Sequence, residues 1–471
     1  MPIDQSKVIA VTNDRYRLKY HLATPSGWMN DPNGFSYFKG YYHIFYQYYP
    51  YDSCWGPMHW GHARSKDLIH WETLPPALIP GDPEDEDGCF SGSAIVKDNQ
   101  LVLIYTGHHY YDKSDPNHFW QNQNMAFSED GIHFKKYDQN PIISAPPADN
   151  TEHFRDPKVW ERDGIYYLVI GSQNTHELGR VLLYTSTDLL NWQLNGPITE
   201  AHSAEDEGFM WECPDIFRLN GRDILLFSPQ GIKRKEKDYL NLYQTGYFVG
   251  ALDYEHGTLE HKNFTELDRG HDFYATQTLL APDGRRILFG WMDMWEADMP
   301  EKEDGWAGAL TLPRELLLKD DRIYMLPIKE VQSLRIEKLC DETLNVSSHQ
   351  LVLSDINHLE LGLDMSFQDW DGSVFKLSLH DQKGNELSLT IDAQTQALTL
   401  FRTGRDPYRY GKTEQNNQAT LQVFIDTSSV EIFINEGEIV FSERFYHEDN
   451  LAVYLEADKD IPVNVHAYRL N

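Results

Sequence analysis

A chain of 471 residues with 41 Lys and Arg against 73 Asp and Glu carries a formal net charge of −32, which sets its surface against nucleic acid and anionic lipid. Its 13% aromatic content excludes a disordered acidic chain, and at roughly 150 residues per domain its length suits two or three folding units. Cys54, Cys89, Cys213 and Cys340 show no CxxC spacing and are too sparse for a disulfide framework, so a reducing compartment is expected.

The opening stretch MPIDQSKVIAVTNDRYRLKY has no apolar h-region, and no later run approaches the roughly 18 apolar residues of a spanning helix, so the expected location is the cytoplasm, with no membrane partner. This stretch up to Lys19 reads as a packed arm or a tail. Strand-like runs then recur: YYHIFYQ at Tyr41, LVLIYTG at Leu101, IYYLVIGS at Ile165, ILLFS at Ile224 and ILFGWM at Ile287, in steps of 60, 64, 59 and 63 residues. Turn signals such as KG, RDG and PDG precede most of them and close hairpins. A second phrase, SKDLIHW at Ser65, SEDGIHF at Ser128 and STDLLNW at Ser186, keeps nearly the same step. Radial repetition of four-stranded sheets explains a sixty-residue period better than a pair of β-sandwiches does. The expected fold is all-β, a five-bladed β-propeller over residues 1–325.

Around Val331 the segment KEVQSLRIEKL suggests a short helix in a linker, residues 326–339. From Leu351 the chain alternates polar and apolar residues in LVLSD, HLELGLDMSF, VFKLSLH, ELSLTID, ALTLF, LQVFID, VEIFIN, IVFSERF, AVYLEA and VNVHAYRL. Strict period two with polar turns predicts a C-terminal β-sandwich over residues 340–471.

Counting back nine or ten residues from each repeated run reaches the partner strand of the same hairpin. There stand Asp31 in WMNDPNG, Ser91 in CFSGS, Asp156 in FRDP, Glu212 and Asp215 in WECPD, and FYATQT in the fifth repeat. Inner strands of a propeller surround one axis, so Asp31, Asp156 and Glu212 are expected at one mouth of the channel, flanked by Trp28, Trp55, Phe90 and Trp211. Any one acid reads equally well as a turn residue, but three in phase with the repeat do not. Carboxylates crowded together persist where a hard cation or a reaction needs them. Calcium wants six to eight oxygens and no DxDxDG loop is present, so no metal and no cofactor are expected. A glycosidase needs two carboxyls and polar groups for sugar hydroxyls, which Asn30, Gln47, Ser91 and Arg155 supply.

These residues carry a resemblance. WMNDPNG, FYQ at Phe45 to Gln47, WGHARSKDLIHW at Trp60, FSGSA at Phe90, FRDP, ECPD, FYATQT and SSVEIFINEGE at Ser428 are similar to motifs of the glycoside hydrolase family 32 β-fructosidases over nearly the whole chain. The resemblance implies that Asp31 attacks the anomeric carbon of a β-fructofuranosyl unit and that Glu212 is the acid/base. It also implies that Asp156 stays ionised and holds fructose hydroxyls. Trp28, Asn30, Gln47, Trp55, Phe90, Ser91, Arg155, Tyr274 and Trp291 match positions lining the fructose subsite. On this reading Glu212 carries a proton when the glycoside binds and loses it as the covalent intermediate forms, the charge on Asp31 supplying the difference; net retention follows.

The expected activity is hydrolysis of sucrose, its 6-phosphate or short fructo-oligosaccharides. Fructosyl transfer and a silent sugar-binding propeller are the competing readings, and a second copy of the chain is the one protein partner considered. Cys213 reads as a packed thiol. His108 and His109 are expected in a loop, the acidic run Gly81 to Gly88 as a solvated turn, and the basic run Ile232 to Lys237 as a solvated face or a phosphate contact.

Overall fold

The computed structural model describes residues 3–366, 373–414 and 418–471. Five antiparallel sheets follow one another between Gly27 and Pro327. Their inner strands are Gly27–Phe38, Gly88–Lys97, Asn150–Arg162, Met210–Leu219 and Tyr274–Leu280. Each touches the next and the fifth touches the first, so the sheets form a β-propeller around one axis. Hydrogen bonding helps close the ring: residues far apart in sequence share the first sheet, where Trp306–Ala307 pairs in parallel with Gly27 and Trp28.

The repeated runs are the second strands, and the repeated Ser-x-Asp phrase ends the third ones. Leu68, Gly131 and Leu189 donate their amides to Ser65, Ser128 and Ser186, while Asp67, Asp130 and Asp188 each accept two amides of the following turn. Serine and aspartate recur because their short side chains satisfy a backbone leaving the ladder.

Each inner strand also carries a β-bulge at nearly the same height. The pairing register slips between Met29 and Pro32, Phe90 and Gly92, Glu212 and Asp215, and Tyr274 and Thr276, and opposite Val169 and Gly171 in the third sheet. Asp156, Cys213 and Ala275 sit there at φ of 66°, 49° and 49°. An extra residue at this point turns the neighbouring side chains toward the axis. The bulged amides leave their own ladder and bond to the preceding sheet: Asp156 to Thr106 Oγ1 at 3.0 Å, Cys213 to Asp156 Oδ2 at 2.9 Å, Ala275 to Ser228 Oγ at 3.2 Å. Neighbouring sheets approach so closely that a Cβ on Gly171 would lie 2.1 Å from the Trp211 carbonyl oxygen.

The C-terminal part is a sandwich of two six-stranded sheets, with Leu361, Leu377, Val423, Ile432, Val453 and Val465 in its core. The ten alternating runs are strands. Two more were not foreseen, Arg335–Val346 and Tyr408–Lys412, both edge strands. The segment expected as a helical linker is therefore only partly so: Lys329–Leu334 is a 3-10 helix, and from Arg335 the chain pairs with Ile461–Leu470. An edge strand that is exposed over most of both faces, as RIEKLCDETLNV is, has no apolar period to betray it.

The N-terminal segment packs as an arm, burying Tyr16 and Leu18 and bonding Thr12 to the Asp304 carbonyl. His108 and His109 lie within the strand Gln100–Tyr110, not in a loop. The acidic run at 81–88 is a solvated turn at Gly81, Asp82, Pro83 and Glu86 but is also anchored: buried Asp85 accepts from Tyr105 at 2.7 Å and pairs with Lys136 at 2.7 Å. The basic run at 232–237 faces acids, with Lys233, Lys235 and Arg234 paired to Glu205, Asp206 and Asp406.

Propeller and sandwich meet through buried charge. His21 bonds Asp426 at 2.8 Å and Glu431 at 2.7 Å; Arg314 reaches Asp268 at 2.8 Å and also Glu431. Burial alone would strip the His21 proton, but the two carboxylates outweigh it and hold the imidazolium to about 9. Arg444 joins Asp293 and Glu301, and Arg402 joins Asp272 and Glu443. The turn Asn435–Gly437 docks beside them, its Gly437 Cα close enough that a Cβ would meet the Met325 oxygen. Removing one partner of a buried pair leaves the others uncompensated, so Arg314→Leu should lower unfolding stability by about 3–5 kcal/mol, measured by urea titration.

Candidate active site

Asp31, Asp156 and Glu212 come from the first, third and fourth inner strands, in the N-terminal half of the first and fourth and at the middle of the longer third, and meet there. Asp31 is oriented by a relay: Trp28 Nε1 donates to Asn30 Oδ1 at 2.7 Å, which turns the Asn30 amide nitrogen to donate to Asp31 Oδ1 at 3.0 Å. Ser91 Oγ donates to the other oxygen at 2.7 Å. Glu212 is gripped on both oxygens. Arg155 Nε donates to Oε1 at 2.8 Å, and Tyr274 OH at 2.5 Å and Gln230 Nε2 at 2.9 Å donate to Oε2.

Cys213 stands between the acids. Its Sγ lies 3.5 Å from Asp31 Oδ2 and 3.5 Å from Asp156 Oδ2, and its amide donates to the latter. Burial and the carboxylates around it push the thiol well above its ordinary range, so it remains a protonated donor. The thiol is packed, as expected, but it also bridges two acids, a role that the sequence does not display.

Crowding is visible in the protonation of the cluster. Burial and then the Glu212 charge raise Asp31, against hydrogen bonds from Ser91, Asn30 and Cys213. Burial and the Glu212 charge push Asp156 up to about 7, more than the adjacent Arg155 offsets. The expectation of a simply ionised Asp156 therefore meets an environment that keeps a proton on it below neutral pH in the free protein.

The remaining sequence-derived residues divide into those at the mouth and those behind it. Phe90 and Trp55 form an edge-on pair 5.9 Å apart, and Trp55 is 40% exposed at the rim. Gln47 is buried and donates to the Cys89 carbonyl at 3.0 Å, tying the first sheet to the second. Trp291 is fully buried behind Trp28, 5.9 Å away, and supports the pocket wall. Trp211 does not reach the mouth. It alternates to the other face of its strand from Glu212 and packs on Phe227 between sheets.

Gln230, Thr106 and Trp295, which stacks on Trp28 at 5.9 Å, belong to the site but were not foreseen. Gln230 could have been found from the hairpin register, since it pairs with Met210 two residues before Glu212. Among the described residues no group of three or more His, Cys, Asp or Glu is arranged to hold a metal ion, and no helix is long and apolar enough to cross a membrane.

Comparison with known proteins agrees with this architecture. The model of the glycosyl hydrolases family 32 N-terminal domain matches residues 21–327, and that of the family 32 C terminal matches residues 330–468. The chain is 42% identical over 443 residues to the sucrose-6-phosphate hydrolase of Escherichia coli, covering 92% of this chain and 91% of that one. It is 43% identical over 436 residues to a raffinose invertase of Escherichia coli, covering 91% and 89%. A Bombyx mori GH32 beta-fructofuranosidase in complex with sucrose superposes with a TM-score of 0.89 at 42% identity, covering 99% of this chain and 95% of that one.

Asp156 keeps a proton in the folded state that it would release when unfolded, so its contribution to stability falls as pH rises from the ordinary aspartate range to about 7. Asp156→Asn should lose that slope and gain on the order of 1–3 kcal/mol relative to the parent at pH 7, read from unfolding curves at several pH values.

Proposed function

This chain belongs to glycosyl hydrolase family 32 and is a β-fructofuranosidase, and from that premise we propose that it cleaves the fructosyl bond of sucrose and sucrose 6-phosphate through a covalent intermediate on Asp31. One observation carries the proposal. Three carboxyls from separate inner strands converge, Asp31 and Asp156 sharing the Cys213 thiol and Glu212 standing next to it in the chain, and each is held by different partners, so equal side chains acquire unequal roles.

In the first step an Asp31 oxygen attacks C2 of the fructosyl unit. The bond from C2 to the glycosidic oxygen breaks, its electron pair stays on that oxygen, and Glu212 supplies the proton that neutralises it. Arg155, Tyr274 and Gln230 hold Glu212 in line for this transfer and then stabilise the carboxylate it becomes. Asp156, with its oxygen beside the Cys213 amide, takes hydroxyls of the fructosyl ring. In the second step Glu212 removes a proton from water, which attacks C2 and restores Asp31. Two inversions leave the configuration retained.

The four cysteines are all thiols, which supports a reducing, cytoplasmic setting. A panel of sucrose, sucrose 6-phosphate, 1-kestose and inulin, with free fructose separated from transfer products, tests the substrate range and would expose a transferase. Asp31→Asn and Glu212→Gln should each lower kcat on sucrose by about 10²–10⁴-fold while leaving the circular-dichroism spectrum unchanged. Near-parental turnover by either would overturn the roles. In aqueous methanol, the trapped product should be methyl β-D-fructofuranoside; the α anomer would exclude a retaining route.

A further inference from the structure

Arg155 does not end at Glu212. Its Nη1 donates to His153 Nδ1 at 2.9 Å, two residues upstream on the same inner strand and farther toward the open mouth. A guanidinium only donates, so Nδ1 must accept, and the hydrogen of the neutral ring is placed on Nε2. Burial and then the Arg155 charge hold His153 down to about 3, so the ring stays neutral and this tautomer persists at working pH. Phe119 stands edge-on at 5.2 Å and fixes the ring plane.

Gln121 secures the same frame, its Oε1 accepting from the Phe154 amide at 3.0 Å and from Arg155 Nη1 at 3.5 Å. Among the described residues nothing hydrogen-bonds His153 Nε2 or Arg155 Nη2, and neither atom is among the side-chain nitrogens sealed from solvent. This sets His153 apart from nearby His108, whose Nε2 is sealed. Two donors, one neutral and one cationic, thus open beside the acid on the side of the mouth.

We propose that His153 is a leaving-group-binding residue: its Nε2–H, with the open arm of Arg155, receives an oxygen of the glycosyl unit that departs as Glu212 protonates it. This inference rests on the β-fructofuranosidase reading. The ligand is an oxygen acceptor, either a sugar hydroxyl or the phosphoryl group of a 6-phosphorylated unit. Fructose itself lies deeper, against Asp31 and Asp156, so the contact affects which bond partner is accepted rather than the fructosyl chemistry.

His153→Asn separates the two functions of the ring. Its short amide oxygen can still accept from Arg155 Nη1, but its nitrogen does not reach as far as Nε2. With sucrose and sucrose 6-phosphate, kcat/KM should fall about tenfold on at least one of them. With methyl β-D-fructofuranoside, whose leaving group carries no oxygen beyond the glycosidic one, it should stay within about twofold of the parent. A larger loss on sucrose 6-phosphate identifies the phosphoryl oxygen, and equal losses identify a hydroxyl.

His153→Gln, whose longer amide restores a donor near the Nε2 position, should recover part of the loss and guards against a misfolded first variant. Equal losses on the disaccharides and the methyl glycoside would show that His153 acts only by positioning Arg155, and no loss on either disaccharide would show that it binds nothing; both outcomes overturn the proposal. A parent enzyme inactive on all three glycosides would instead overturn the function from which it starts.

Discussion

The site depends on one backbone irregularity repeated around a ring. A regular inner strand would alternate its side chains between the two faces of its own sheet, and adjacent acids on different sheets would never share a thiol. The bulge in each inner strand breaks that alternation. It leaves amides without ladder partners, which the preceding sheet then satisfies through Thr106, Asp156 and Ser228. The positive φ values of Asp156, Cys213 and Ala275 show where backbone strain is concentrated, and the cross-sheet hydrogen bonds are what hold it. Asp156 serves both purposes, since the oxygen that anchors the fourth sheet also lies 3.5 Å from the Cys213 thiol that contacts Asp31.

Electrostatics follow from that geometry. Bringing three carboxyls into a buried space raises the proton affinity of Asp31 and Asp156, and one guanidinium does not cancel the effect. The interface with the sandwich solves a similar problem differently. There each acid meets a cation, His21, Arg314, Arg402 or Arg444. The mouth is left deliberately unsaturated on one side only, at His153 and Arg155, where a neutral tautomer gives direction without adding charge.

Much of this was written in the sequence because repetition and chemistry coincide. The sixty-residue step exposed the hairpins, and counting back along them brought Asp31, Ser91, Asp156 and Glu212 to equivalent places. Motif resemblance added Tyr274 and Trp291, yet it treats alike residues that touch the pocket and residues that stand behind it; Trp291 is fully buried. Trp211 was misplaced because nearness in sequence ignores strand alternation. Gln230, Thr106 and Trp295 were invisible since their contribution is set by cross-strand register or by packing between sheets. The edge strands Arg335–Val346 and Tyr408–Lys412 lack the one-sided burial that makes an interior strand legible. A histidine two residues before a conspicuous arginine reveals nothing until a hydrogen bond fixes which nitrogen carries the hydrogen.

The charged seam between the halves limits how this protein can be cut. Part of that seam is apolar, with Phe424, Phe433, Val440 and Leu470 of the sandwich clustered with Leu312, Leu316, Met325 and Ile328. Parting the halves would also strand buried charge, taking His21 from Asp426 and Glu431 and Glu431 from Arg314, while Arg314 would keep Asp268 within the propeller. The arm that begins the chain contributes to it as well, with the backbone amides of Lys19 and Tyr20 bound to Asp426. Shortening at either terminus, or grafting the wheel onto an unrelated partner, would therefore call for redesign of an entire salt lattice, and the two folds are best regarded as a single inheritable unit.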